Sequence, residues 1–354
     1  MSPVPEVSVL LPCRNVAAWL PECIDSLEAQ SLRDYEIVAV DDRSTDDTGS
    51  LLREWSARDD RVKVFEVTPA PPPTDRAANR TPGESLLEAL DLAVAAARGA
   101  LLARMDGDDV AAPRRLELQR DFMAARRDLA ACGTAVELFP RSAVGEGYLR
   151  YETWLNGLSE PEDLRRDLFV ECPVAHPSLM IRRSVLRGLG GYRDPGWPED
   201  YDLVLRLHAA GMRIGNLSAR LLRWRVRLDR HSLTSDRYSA DSFRRCKVHF
   251  LDQVFLPAAR PLVVWGAGKV GKPLARELIR QGRSIAAFVD LDARKIGQEI
   301  HGAPVLDPAG FEALLRSDDP YVLAAVGSPG AREEIRQALD ALGRREIEDY
   351  RVCA

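Results

Sequence analysis

The stretch Ala100-Leu101-Leu102-Ala103-Arg104-Met105-Asp106-Gly107-Asp108-Asp109 passes without a spacer from an apolar strand pattern into an acidic turn. Three carboxylates on one short turn at a strand exit are hard oxygen ligands suited to a divalent cation that bridges a diphosphate. Aspartate and glycine are also ordinary turn residues, so the weight of this stretch depends on what surrounds it.

Upstream, short β-branched runs alternate with amphipathic segments, the pattern of βαβ units around a mostly parallel sheet. The strands expected are Val7–Leu11, Glu36–Val40, Val62–Val67 and Ala100–Met105, and the helices are Leu20–Gln30, Asp46–Arg58 and Gly83–Ala97. Asp46 and Asp47 are placed to cap the second helix. Pro69-Ala70-Pro71-Pro72-Pro73 can continue neither element and reads as a rigid loop. Downstream, Pro113 opens a helix over Arg114–Arg126, a strand follows near Ala130–Phe139, and further helices fit Glu160–Phe169 and Tyr201–Ala210. In a parallel sheet the loops after Leu11 and Val40 open on one edge, where doubly wound folds bind ligands.

The chain has 354 residues, 49 basic and 54 acidic, for a formal charge of −5 without long blocks of one sign. Bulk electrostatic binding of nucleic acid or anionic membrane is therefore not expected, and an anionic ligand has to be held locally. The six cysteines show neither a Cys-x-x-Cys pair nor dense spacing, which fits reduced thiols in a cytoplasmic protein. No uncharged run reaches the length of a membrane helix. The expectation is a cytoplasmic location without an integral membrane segment, with peripheral association at the inner face of the membrane compatible with it. Self-association as a homodimer is equally compatible.

Further segments follow in order: Pro113-Arg114-Arg115-Leu116, the run His176-Pro177-Ser178-Leu179-Met180-Ile181, Gly190-Gly191-Tyr192-Arg193, and Pro198-Glu199-Asp200-Tyr201-Asp202. Together with the acidic turn, Leu11-Pro12-Cys13-Arg14-Asn15 and Val40-Asp41-Asp42, this order resembles the inverting nucleotide-sugar glycosyltransferases of family two. The resemblance runs from about Val7 to about Ser235. It implies a GT-A (nucleotide-diphospho-sugar transferase) fold and a nucleotide-diphosphate sugar donor, UDP-sugar favoured. Mn2+ or Mg2+ is implied on Asp106, Asp108 and Asp109, and transfer to a hydroxyl acceptor in glycan or glycoconjugate biosynthesis. Pro12, Arg14 and Asp42 would then lie along the nucleotide, Asp42 accepting from a pyrimidine ring. Asp106 would meet the ribose and diphosphate, His176 the acceptor pocket, and Arg225 and His231 a late segment over the diphosphate.

Inverting transfer without a covalent intermediate needs a carboxylate to take the acceptor's proton. Asp200, beside Glu199 at a helix start, matches the acidic pair of the family, and the positive helix end favours its ionised form. The same pair could simply cap that helix. Arg220-Leu221-Leu222-Arg223-Trp224 lacks the Gln-x-x-Arg-Trp signature of processive synthases, which favours transfer of single sugars. A nucleotidyltransferase would instead need a glycine-rich amino-terminal loop with a basic residue on a triphosphate, and Leu11–Asn15 is not one.

At Pro257-Ala258-Ala259-Arg260-Pro261 the pattern resets, placing a boundary between a domain of residues 1–255 and one of 256–354. Leu262-Val263-Val264-Trp265 reads as a buried strand, followed by Gly266-Ala267-Gly268-Lys269-Val270-Gly271 at a helix start and by Asp290 at the end of the next strand. This is the context of a phosphate or dinucleotide cradle. The segment resembles the small Rossmann-like α/β domain attached to bacterial sugar acyltransferases. Gly266, Gly268, Gly271 and Asp290 are its candidate cofactor-binding residues. Were this cradle the working site, the chain would be a catalytically inactive nucleotide- or NAD-binding scaffold or sensor.

Overall fold

The computed structural model describes residues 4–68, 82–227, 235–257 and 259–354. The proline run and His231 lie outside the described residues. Contacts within the chain divide it into two units, Met1–Leu164 with Pro173–Ser239, and Arg165–Cys172 with Ala240–Ala354.

The first unit is built on strands β1 (Val7–Cys13), β2 (Tyr35–Asp41), β3 (Val62–Glu66), β4 (Leu101–Arg104), β5 (Val110–Ala111), β6 (Leu129–Phe139), β7 (Met180–Arg182) and β8 (Arg213–Arg225). They form one sheet in the order β3-β2-β1-β4-β7-β6-β8-β5. The first four in that order are parallel. β7 runs antiparallel between β4 and β6, and β6 pairs with β8 in parallel. Every residue of β1 and β2 is buried, as central strands covered on both faces require, whereas β3 at the edge is mostly open.

The helices of this unit are α1 (Leu20–Glu28), α2 (Thr48–Arg58), α3 (Pro82–Ala96), α4 (Arg115–Ala125), α5 (Glu146–Asn156), α6 (Pro161–Arg166, whose last two residues fall in the second unit), α7 (Arg183–Gly188) and α8 (Glu199–Ala209). On α1, Leu20, Cys23, Ile24 and Leu27 are buried at helical spacing, so one stripe faces the sheet. Asp46, not Asp47, satisfies the start of α2, its Oδ1 accepting from the Thr48 amide at 3.0 Å.

The second unit has α9 (Ala240–Phe250), α10 (Gly271–Arg280), α11 (Pro308–Asp318) and α12 (Ala331–Ala341). Its strands are β9 (Leu262–Trp265), β10 (Ile285–Val289), β11 (Glu299–Ile300), β12 (Ala303–Leu306), β13 (Tyr321–Ala324) and β14 (Tyr350–Val352). The sheet order is β11-β12-β10-β9-β13-β14, parallel except for β11. The strand order reverses between β9 and β13, which opens a crevice beyond their carboxyl ends. No helix among the described residues is long and apolar enough to cross a membrane.

Candidate active site

Parallel pairing in register sets Cys13 beside Asp41 and Leu10 beside Arg104, so the loops leaving β1, β2 and β4 share one sheet edge. The β1 and β2 loops are tied together. Thr48 Oγ1 accepts from the Val16 amide at 2.9 Å, Asp46 accepts from Ala17 at 3.1 Å, and Asn15 Oδ1 accepts from Thr45 at 2.8 Å. Asn15 and Arg43 hold φ of 50° and 55°, a left-handed geometry that asparagine tolerates and arginine holds only because the loop fixes it. Pro12 is buried within β1. Asp42 is nearly covered and lies 3.7 Å from Arg14 and 3.5 Å from Arg43, with Arg14 half exposed above it.

The acidic turn lies between β4 and β5. Ligand atoms of Asp106, Asp108 and Asp109 lie within 4.8 Å of one another, a separation a single cation can span. Each carboxylate already has a basic or amide neighbour. Asp106 pairs with buried Arg104, Asp108 lies 3.1 Å from Arg227, and Asp109 accepts from the Arg225 amide at 2.7 Å. The Arg225 side chain donates to the Asp108 carbonyl at 2.6 Å and pairs with Glu22, so it braces the turn from β8. Arg227 also stacks over the Trp19 ring at 4.0 Å. Burial, with Asp41, Asp106 and Asp108 nearby, drives the Cys13 thiol far above its ordinary pKa and leaves it inert.

A second group of polar side chains continues from Arg104. Burial works against its charge, and Asp106 more than offsets this, raising the guanidinium pKa. His176, in the turn before β7, is 8 % exposed. Its Nε2 lies 2.9 Å from the Tyr192 hydroxyl and its Nδ1 3.9 Å from Glu199. Burial first, and Arg104 second, lower its pKa to about 3, so the imidazole is neutral at physiological pH. Glu199 and Asp200 open α8 after Pro198. Burial raises the Glu199 pKa although the Tyr238 hydroxyl donates to its carboxylate, at 2.8 Å and 2.9 Å to the two oxygens. Asp200 is partly open, with one oxygen accepting from the Tyr201 amide at 2.7 Å. Asp202 instead faces inward, bonded to Trp197 and Arg206.

The structure therefore places Pro12, Arg14 and Asp42 at one loop pair, and Asp106, Asp108, Asp109 and Arg225 at the acidic turn. The Arg104 charge, paired with Asp106, also acts on His176 and Glu199, and Asp200 follows Glu199 at the start of α8. Sequence reasoning gave no role to Arg104, Arg115, Tyr238 or Arg227. Arg104 had a signal: a charged residue closing an apolar strand directly before an acidic turn. Arg115 is 1 % exposed and donates to the carbonyls of Arg104 at 2.5 Å and Pro177 at 2.8 Å, fastening the β4 exit to the His176 turn. Gly266, Gly268 and Asp290 line a cavity of about 690 Å³ in the second unit, and Gly271 opens the helix behind it.

Comparison with known proteins bears on this site. The Glycosyl transferase family 2 model matches residues 8–68 and 79–190. EpsE of Bacillus subtilis strain 168, which carries the name of a glycosyltransferase, is 31 % identical over 274 residues, covering 74 % of this chain and 90 % of its own. The O-antigen biosynthesis glycosyltransferase WbnJ of Escherichia coli is 27 % identical over 223 residues, 62 % of this chain and 79 % of WbnJ. In fold, the first 349 residues of S. aureus TarS, solved in complex with UDP-GlcNAc, superpose with a TM-score of 0.54 at 17 % identity, over 78 % of this chain and 72 % of that one. The sheet, its acidic turn and these relatives agree: the fold is GT-A, and the chain belongs to glycosyltransferase family 2.

Proposed function

We propose that the first unit transfers one sugar, with inversion, from a nucleotide-diphosphate donor to an acceptor hydroxyl. What supports this most is the metal-capable turn at the exit of β4, with Asp106 held by Arg104, together with the carboxylates Glu199 and Asp200 that open α8 beside His176. Asp42, with Arg14 above it, would accept from the base of the nucleotide, and a pyrimidine, hence a UDP-sugar, is favoured there. Asp106, Asp108 and Asp109 fit a Mn2+ or Mg2+ ion by donor type and spacing. Such an ion supplies positive charge to the departing diphosphate.

Asp200 would accept the proton of the acceptor hydroxyl as its oxygen attacks the anomeric carbon. The amide end of α8 favours its ionised form. Neutral His176 lies beside buried Glu199, whose carboxylate is held by the Tyr238 hydroxyl. TarS, crystallised with UDP-GlcNAc, supports a nucleotide-sugar donor.

The test is nucleotide release from a panel of UDP-, GDP- and dTDP-sugars in the presence of Mn2+ or Mg2+, for wild type and Asp108→Ala. Metal-dependent release from one donor, lost in the variant, supports the reading and names the donor. Release from none, with no donor-induced thermal shift, refutes it.

A further inference from the structure

The cavity of about 690 Å³ in the second unit is of the size that holds small ligands elsewhere, and it lies over the carboxyl ends of β9 and β13, where the strand order reverses. One wall is apolar, made by Val289, Leu291, Pro308, Ala325 and Ile335. Leu291 is 71 % exposed, an apolar side chain held open at the lip without cover. The lining also includes Gly266, Gly268, Lys269 and Val270 of the loop before α10, with Lys295 and Ser328.

That loop is shaped for close approach. Gly266 has φ of 119°, and a β-carbon on Gly271 would strike the Gly266 carbonyl, so neither position takes a side chain without rearrangement. The amides of Gly268, Lys269, Val270 and Gly271 donate to no acceptor of the chain among the described residues. The positive end of α10 begins at the same place.

Asp290 decides which ligand the cavity suits. Its carboxylate accepts from the Ala267 amide, the Asp292 amide and Lys295 Nζ, each at 2.9 Å. A carboxylate offers about four acceptor positions, and three are used. A dinucleotide gripped through its ribose diol needs a free carboxylate at this strand end. Here the carboxylate props the glycine loop and is already paired with Lys295. Of the lining residues only Glu334, exposed on α12, adds another negative charge.

We propose that this cavity binds a nucleoside diphosphate, its phosphates over the amides of Gly268–Gly271 between Lys269 and Lys295, and its base against the apolar wall. The site is additional to the donor site of the first unit and stands whether or not that unit turns over a sugar.

The experiment uses the full chain in EDTA, with UDP, GDP, ADP and NAD+ as probes. Isothermal titration gives affinity, and amide hydrogen exchange locates the ligand. The expected result is protection of amides 268–271 by at least one diphosphate, retained in Asp108→Ala. Affinity falls by at least about tenfold in Lys269→Gln/Lys295→Gln, where two charge-assisted contacts are lost. Lys269→Gln alone, on an open loop, gives a smaller loss in the same direction. Absence of protection at these amides with every diphosphate overturns the proposal, as does protection unchanged in the double variant or protection by NAD+ alone. Failure of the transferase reading registers separately, in the panel assay and at the loops after Cys13 and Arg104.

Discussion

Asp200 and Glu199 are neighbours in sequence with different surroundings, and that difference separates their roles. Asp200 is partly open, so Asp200→Asn is expected to lower kcat by roughly two to four orders of magnitude while leaving donor affinity unchanged, measured by turnover and by donor titration. Parallel loss of donor affinity would count against a base. Glu199 is 2 % exposed and its pKa is raised by burial. A raised folded pKa means that the stability its neutral form contributes is present below 4.5 and is lost as pH rises through the folded value. Glu199→Gln keeps the acceptor for Tyr238, so its melting temperature relative to wild type should be more favourable at alkaline pH than at acid pH.

His176 gives the opposite slope. Its folded pKa of about 3 lies below the ordinary 6.5, so the unfolded chain binds a proton that the folded chain refuses throughout that interval. Stability is full above pH 6.5 and declines as pH falls toward 3, each tenfold difference in proton affinity being worth about 1.4 kcal/mol. Calorimetric melting of His176→Asn should therefore show a shallower acid decline than wild type, and an identical slope would mean that the imidazole is not held neutral.

Between residues and fold stand the elements that aim them. Arg115, on α4, carries its charge into the interior, and burial lowers its pKa to about 10, which still leaves it protonated. Its donors fasten the exit of β4 to the turn bearing His176. Arg115→Met retains the apolar stem and orphans both carbonyls, which should cost roughly 2–4 kcal/mol in denaturant-midpoint measurements. The predicted strands Glu36–Val40 and Val62–Val67 lie within a residue of β2 and β3 at each end, because fully or half-buried strands write their burial into β-branched runs. β8 was not legible. Arginines at 213, 220, 223 and 225 interrupt any apolar alternation in it, three of them make ion pairs with Asp128, Glu162, Glu22 or Glu137, and its register with β6 shifts three times. The acidic turn was legible as a turn, but its bracing by Arg225 was not, since partners more than a hundred residues apart leave no local pattern.

At the scale of the molecule, the reset at Pro257–Pro261 marks a change of composition, while contacts assign Arg165–Cys172 to the second unit. That short segment has what a core needs. Phe169 is fully buried with its ring 5.2 Å from Phe255 and Arg351 over it at 5.3 Å. Asp167, also buried, meets Arg336 at 2.5 Å and Arg332 at 3.8 Å. A chain cut after 255 keeps the segment and removes Arg332, Arg336 and Arg351. It takes from the buried Asp167 carboxylate two of the arginines paired with it, leaving Arg166 at 3.0 Å, and strips an aromatic ring of part of its cover, and each loss of this kind is destabilising. The truncated chain 1–255 is therefore expected to bind a hydrophobic dye and to aggregate at temperatures the full chain tolerates, with Phe169→Ser/Asp167→Asn partly restoring solubility. If 1–255 instead melts cooperatively, without dye binding, then residues 165–172 are not committed to the second core and the compositional boundary is also the folding boundary.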